Sequence, residues 1–296
     1  MLAVSGGRDS MVLMHACARA ARRSVAIVAT FDHGTGPAAT AASGLVAREG
    51  ARVGFPVVLG HAERFGDSEA EWRSARLAFL SDVAASLGAD VATAHTRDDQ
   101  VETVVMRVLR DAGARGLAGL YAASQTLRPL LDFSRPEVAG YGLEIGARWL
   151  DDPTNSSMRF LRNRVRRDLL PALSLASPGL TETLLDVARG AAEWRGVLDS
   201  LVASMSRISE DGTLCVAARD LVPFSAAELA VLWPALAARV GLAMDWRGTE
   251  RAAAFTNTGR SGRRIQLSGG WEIARTREEL VLRRWRIPAP APASTS

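Results

Sequence analysis

"LAVSGGRDSM", residues 2–11, runs from a short apolar stretch through two glycines into an apolar helix. Glycines between a strand and a helix let backbone N–H groups converge as a nest, and the helix N-terminus adds a positive field. Ser5, Gly6, Gly7, Arg8, Asp9 and Ser10 therefore read as an anion-binding loop. A Walker loop is excluded, because no GxxxxGK[ST] is present and the 36 basic residues are all arginine. The loop is not GxGxxG either. Ser5 and Ser10 can donate to phosphate oxygens. Asp9 would repel a bare phosphate but suits Mg²⁺ bridging two phosphates. An ordinary Gly-Gly turn with a Ser/Asp cap is the alternative on spacing alone.

Working outward, the first half alternates short β-like runs with amphipathic stretches. Leu2–Val4, Ser24–Phe31, Phe55–Gly60 and the run "ADVATAHT" (89–96) read as strands. Met11–Ala18, a helix opened by a Ser68/Glu71 capping box and ending near Leu87, and a helix from Asp98 to about Arg110 read as helices. Continuous apolar strands alternating with helices imply an α/β fold, a parallel sheet with helices on both faces. Ligands of such sheets bind at the carboxyl ends of strands. Ser5–Ser10, Asp32-His33 and His95–Asp99 all fall there.

The second half reads differently. Ser134–Glu137 is another capping box, and helical patterns cover Arg159–Leu173, Thr181–Met205 and Ala226–Val240, the last interrupted by Pro234. "GRRIQLSGGWEIARTREELVLRRW" reads as short antiparallel strands about a Gly269-Gly270 turn, before a tail, "IPAPAPASTS", of disordered composition. The expected domains are a catalytic domain over residues 1–175, a smaller mainly helical domain over 176–286 ending in short strands, and a disordered tail over 287–296. With 296 residues, 48% of them hydrophobic, the chain can bury two cores. A net charge of +4 carried wholly by arginine allows a nucleic-acid partner, although GC-rich codon drift yields the same composition. Cys17 and Cys215 stand far apart, which argues against a disulfide framework, a zinc ribbon or an iron–sulfur cluster. No signal peptide or membrane-length apolar run is present, so the expectation is a cytoplasmic protein without a membrane partner.

Three further clusters carry chemistry. His95, Asp98, Asp99 and Glu102 place an imidazole and carboxylates beside the loop, with Asp99 and Glu102 sharing a helix face. Such a group can bind Mg²⁺, hold an ammonium or take its proton. Asp98 is also the expected N-cap. Arg73 and Arg76 are i,i+3 neighbours able to steady charge on a phosphate, or a solvated basic face. Arg159, Arg162, Arg164, Arg166 and Arg167, with Asn163, form a basic segment of the kind that contacts RNA phosphates. His15 and His61 have no partner motif and read as structural.

SGGxDS after an N-terminal strand resembles the signature of the PP-loop, or N-type ATP pyrophosphatase, superfamily, whose Rossmann-like members split ATP to AMP. "EWRSARLAFL" (71–80), "TAHTRDDQVET" (93–103), "RPLL" (128–131), "WLDDPTN" (149–155) and "RFLRNRVRRDLLPAL" (159–173) are similar, in order, to segments of the tRNA(Ile)-lysidine synthetases. The resemblance covers about residues 2–175 well and the rest loosely. It implies ATP on Ser5–Ser10 with Asp32 and His33 beside the nucleotide, and Mg²⁺ at Asp9. It implies Asp9, Arg76, His95 and Asp99 as catalytic residues, and Asp99 and Glu102 for the lysine ammonium. Arg159, Arg162, Asn163, Arg164, Arg166 and Arg167 would hold tRNA. The partners it implies are tRNA(Ile) with a CAU anticodon and L-lysine, and it leaves a homodimer open. The implied reaction adenylates C2 of the wobble cytidine and replaces AMP with lysine. A tRNA cytidine thiolase, a small-molecule AMP-forming synthetase and an inactive tRNA-binding relative are the alternatives. The chain departs from the family at Leu77, where Tyr is common, at Asp111, where a Gly usually follows the Arg, and in starting almost on its first strand.

Overall fold

The structure, a computed structural model, describes residues 1–34, 36–62, 69–151 and 157–285. Ser68 of the expected capping box, residues 152–155 of "WLDDPTN" and the expected tail lie outside the described residues. Two compact units divide at Ala192/Glu193. That point lies inside one continuous helix, Leu180–Met205, and not at the expected residue 175.

In the first unit β1 (Leu2–Ala3), β2 (Val28–Asp32), β3 (Val57–His61), β4 (Val91–Ala92) and β5 (Thr126–Leu127) form a wholly parallel sheet in the order β3-β2-β1-β4-β5. The chain steps outward from β1 through β2 to β3, then restarts on the other side of β1 with β4. The order reverses between β1 and β4, which is where doubly wound sheets bind ligands. Alternation along the strands feeds two cores. Leu2 and Val28 pack with Met11 and Met14 of α1 (Arg8–Ala20) and with Leu45 and Val46 of α2 (Pro37–Val53). Met1 and Ala29 pack on the opposite side with Leu80 and Ala84 of α3 (Glu69–Leu87). The helices therefore cover both faces of the sheet, as the apolar strands imply.

Several elements differ from the sequence reading. Residues 22–24 form a 3₁₀ turn, so the second strand begins only at Val28. The run 89–96 contributes two strand residues, because its neighbour β1 is equally short before the loop turns away. α2 and β5 had no clear signal. α4 (Arg97–Val108) is capped by Thr96 and not Asp98: Thr96 N–H and Oγ1–H both donate to Asp99 Oδ2, at 2.8 and 2.9 Å. After the four-residue α5 (Ala114–Leu117) comes α6 (Arg135–Glu144), which begins at the expected Ser134–Glu137 capping box. The basic segment is a bent helix: α7 (Leu161–Arg164), a π-helical turn (Val165–Leu169) and α8 (Leu170–Ala176).

The helix Leu180–Met205 (α9) leads into the second unit. There β6 (Ser206–Ile208), β7 (Leu214–Ala217), β8 (Arg264–Leu267), β9 (Trp271–Arg275) and β10 (Glu279–Arg284) make an antiparallel sheet in the order β6-β7-β10-β9-β8. After the four-residue α10 (Ala218–Leu221) come α11 (Ala226–Ala238) and α12 (Trp246–Thr258), which enclose the core around Trp233. Trp233 Nε1–H donates to Thr256 Oγ1 at 2.8 Å, satisfying its only polar atom. α11 runs through Pro234 without interruption, since its flanking residues are fully buried and packing outweighs one lost hydrogen bond. Among the described residues no helix is long and apolar enough to cross a membrane.

Both substitutions at family positions have a local reason. Leu77 is 48% exposed on α3, so little packing depends on it. Asp111 sits at φ +52°, in the left-handed region that Gly occupies freely and Asp tolerates better than most residues. Asp111→Val is expected to lower stability by about 1–2 kcal/mol while Asp111→Gly is not destabilising, as chemical denaturation would show.

Candidate active site

Gly6 adopts φ +84° at the turn out of β1, and an added Cβ would lie 2.9 Å from both Cβ and the carbonyl oxygen of Ala42. No other residue fits there. Ser10 is buried and holds the loop shut: its Oγ accepts from Ser5 N–H at 3.1 Å and donates to the Gly7 carbonyl at 2.8 Å. Its hydroxyl is thus spent on loop geometry, leaving the exposed Ser5 and the free N–H groups at the start of α1 to face a ligand. Asp9 lies in that first turn, with Oδ1 accepting from Arg8 Nε–H at 2.9 Å. Mg²⁺ takes about six oxygens. Asp9 is the loop's one carboxylate, and the described residues contain no group of three metal-ligating side chains. This donor set fits an ion carried mainly by phosphate oxygens and touched by one protein carboxylate.

Asp32, at the end of β2, is 4% exposed and already satisfied. Its Oδ1 accepts from Gly34 N–H and its Oδ2 from Thr40 Oγ1–H, each at 2.8 Å. It shapes the turn that carries His33, whose ring stands edge-on to Phe31 at 5.0 Å.

Beyond β4, His95 Nδ1 pairs with Thr93 Oγ1 at 2.8 Å. Burial pushes the His95 pKa down to about 4; Asp99 pulls it upward, and the positive charges of Arg162, Arg128 and Arg76 add to the lowering. His95 is therefore a neutral imidazole at neutral pH.

The acidic pair on α4 is the most highly paired part of the site. Arg135, the first residue of α6, donates from Nη2 to Asp99 Oδ1 at 2.6 Å and from Nη1 to Glu102 Oε1 at 2.7 Å. Its backbone N–H goes to Asp98 Oδ2 at 2.8 Å, and its Nε lies 3.9 Å from Asp9 Oδ2. Arg162 donates from Nε to Glu102 Oε2 at 2.8 Å, and Arg166 from Nε to Glu102 Oε1 at 2.6 Å. Glu102 is 1% exposed under these three guanidinium groups. Burial alone would raise its pKa, but the hydrogen bonds from Arg166, Arg135 and Arg162 overcome that and lower it. The same opposition, with Arg135 and Arg162 prevailing, lowers that of Asp99. A cavity of about 300 Å³ opens beside Glu102, lined also by Arg97, Arg135, Arg166, Pro171 and Thr181.

The expected basic segment divides accordingly. Arg162 and Arg166 turn inward to the carboxylates, Asn163 is buried with its Nδ2–H on the Ser157 carbonyl, and Arg159, Arg164 and Arg167 face solvent. Sequence reasoning gave Arg135 and Arg128 no role. A lone Arg carries no signal, and only its position inside the Ser134–Glu137 capping box could have flagged Arg135.

Because the folded-state pKa of Glu102 is depressed, the unfolded chain binds its proton more readily than the native state does. Its contribution to stability is complete above the ordinary carboxylate range and is lost as pH falls through the folded value. Glu102→Gln is expected to cost about 3 kcal/mol near neutrality by leaving buried guanidinium groups uncompensated, and to flatten the acid limb of a pH–stability profile.

Comparison with known proteins places this geometry in context. The sequence model of the PP-loop domain matches residues 1–173. The tRNA(Ile)-lysidine synthase of Salinispora arenicola is 35% identical over 95% of this chain and 90% of its own length. That of Solibacter usitatus is 38% identical over 76% of this chain, and that of Thermus thermophilus 34% over 98%. The chain matches 53% and 58% of the lengths of those two relatives, so it spans about half of them. Among solved structures, the U34-tRNA thiolase NcsA from Methanococcus maripaludis aligns at a TM-score of 0.54 with 16% identity, covering 65% of this chain and 70% of that one, a likeness of fold.

Proposed function

The chain belongs to the PP-loop domain family and, within it, to the tRNA(Ile)-lysidine synthases, and from that membership we propose that it is an AMP-forming ligase that converts the wobble cytidine of tRNA(Ile) to lysidine. The observation that supports this most is the gathering, where the strand order reverses, of the Gly6-Gly7 loop on β1, His95 beyond β4, and the buried pair Asp99–Glu102 on α4.

In this reading ATP lays its pyrophosphate on Ser5–Ser10, its nucleoside side toward Asp32 and His33. Mg²⁺ held by Asp9 and the phosphates would offset negative charge as pyrophosphate leaves. The C2 oxygen of the cytidine attacks the α-phosphate. Arg76, on α3, faces the developing charge with a buried Nε that has no acceptor of its own. The ε-amine of lysine then attacks C2, AMP leaves, and a proton is lost from the nitrogen. Neutral His95 can accept a hydrogen bond from that ammonium but is a weak base, so Asp99 and Glu102 serve as its counter-charge. Three guanidinium groups already occupy the pair, so the ammonium must replace one. Arg162 and Arg166, each about one-third exposed, are free to yield where Arg135 is enclosed. The cavity beside Glu102 suits the amino acid's aliphatic stem. Exposed Arg159, Arg164 and Arg167 supply phosphate contacts to the tRNA.

Nothing in the site favours a thiolase. Cys17 and Cys215 lie one in each unit, and burial raises both thiol pKa values, which disfavours the reactive thiolate. Incubation of the protein with ATP, L-lysine and tRNA(Ile) bearing CAU is expected to add one lysine to the wobble cytidine, read by mass spectrometry of the digested tRNA. ATP–pyrophosphate exchange should require that tRNA; exchange without it would refute the assignment. Asp9→Ala should abolish exchange while leaving tRNA affinity unchanged, and wild-type turnover in this variant would remove Asp9 from the mechanism. With His95 neutral throughout, kcat/KM for tRNA should show no inflection from it between about pH 6 and 8; a step centred near pH 6.5 would contradict the depressed value.

A further inference from the structure

Arg128 follows the last residue of β5 and has no part in the machinery above. Its backbone is fixed to β4: Leu127 pairs with Ala92, and Thr93 N–H donates to the Leu127 carbonyl at 2.9 Å. Its side chain is anchored as well, with Nη1 donating to Ser124 Oγ at 2.9 Å and to the Thr126 carbonyl at 3.2 Å. Its Nε, on the remaining edge, is buried and has no acceptor. Arg76 presents the same feature, a buried Nε without an acceptor. Both guanidinium groups act on His95 as positive neighbours, so they converge on the carboxyl ends of β4 and β5.

Burying charged donors without partners is costly, and here two like charges approach one neutral ring. Asp99, the acid that also acts on His95, is already engaged, because Thr96, Arg135 and Arg162 use its oxygens. The acceptor that completes this arrangement must arrive with a ligand, and the free Nε–Nη2 edge of an arginine matches two oxygens of a phosphate. The sheet order selects which phosphate. In the reading above the nucleotide extends from β1 toward β2, whereas Arg128 follows β5, two strands from β1 on the other side, roughly 10 Å away at ordinary strand spacing. That is the side of the sheet which this reading leaves for the RNA.

We propose that Arg128 is a receptor for a backbone phosphate of the RNA strand flanking the reacting base, distinct from the exposed arginines of the bent helix. The inference rests on the tRNA reading above and adds the residue that seats the strand over His95.

Titration of tRNA(Ile) bearing CAU into wild type and Arg128→Gln, with ATP present and at several salt concentrations, tests it. The variant should bind tRNA about tenfold more weakly, with the log–log salt slope reduced by about 0.7, one single-stranded phosphate contact. Its ATP affinity and melting temperature should stay at the wild-type values. Tight wild-type binding with an unchanged affinity and slope in the variant overturns this inference alone. Loss of ATP affinity in place of tRNA affinity also overturns it, by assigning Arg128 to the nucleotide. Failure of wild type to bind the tRNA overturns the tRNA reading, and this inference with it. Should Arg128→Gln not fold, Arg128→Lys keeps the charge but loses the forked edge; it should weaken tRNA binding severalfold, and wild-type affinity there counts against the proposal.

Discussion

One side chain ties the site together. Arg135 reaches Asp99 and Glu102 through two nitrogens, gives its backbone N–H to Asp98, and brings its third nitrogen to 3.9 Å from Asp9. It thereby joins α6 to α4 and faces the first turn of α1. Removing either buried carboxylate would leave guanidinium groups in a space with little water to replace the lost partner. The carboxylates in turn need the arginines, because burial alone would drive them toward protonation. The cluster is self-consistent only as a whole, with Arg135 its enclosed member and Arg162 and Arg166 its more exposed ones.

The same cluster sets the state of His95. Asp99 pulls its pKa upward, but burial, aided by the positive charges of Arg162, Arg128 and Arg76, prevails and keeps the imidazole neutral. Proton handling by His95 is thus a property of neighbours on α3, α4, the end of β5 and the bent helix, and not of the residue itself.

The sequence made the parallel sheet legible because β2 and β3 open on apolar runs before their polar ends and because Gly6-Gly7 stands between a strand and a helix. It made the strand ends that carry the candidate site legible for the same reason. β5 escaped notice because two residues carry no periodicity, and α2 because its buried face mixes Ser43, Glu49 and Gly50 with Leu45 and Val46, so no continuous apolar stripe shows. The cap of α4 differs from the expected Asp98: Thr96 forms a local capping box with Asp99, while Asp98 accepts the Arg135 N–H. The arginines of 159–167 looked like one basic surface. A bent helix with a π turn sends two of them inward and three outward, and no linear pattern announces that turn.

The division of those arginines also separates two jobs that composition had merged. Arginine is suited both to bidentate pairing with carboxylates and to phosphate contact. Exposed pairs with water contribute little to stability, whereas a buried guanidinium on Glu102 is worth several times more, so the inward residues answer to fold and charge balance. The outward ones remain unpaired by carboxylates among the described residues and so keep their charge available to an approaching polyanion. Arg76 and Arg128, partly exposed as residues, form a third class, with a buried Nε left without an acceptor. A buried Nε–H of that kind has no acceptor among the described residues and is left for one that a ligand brings.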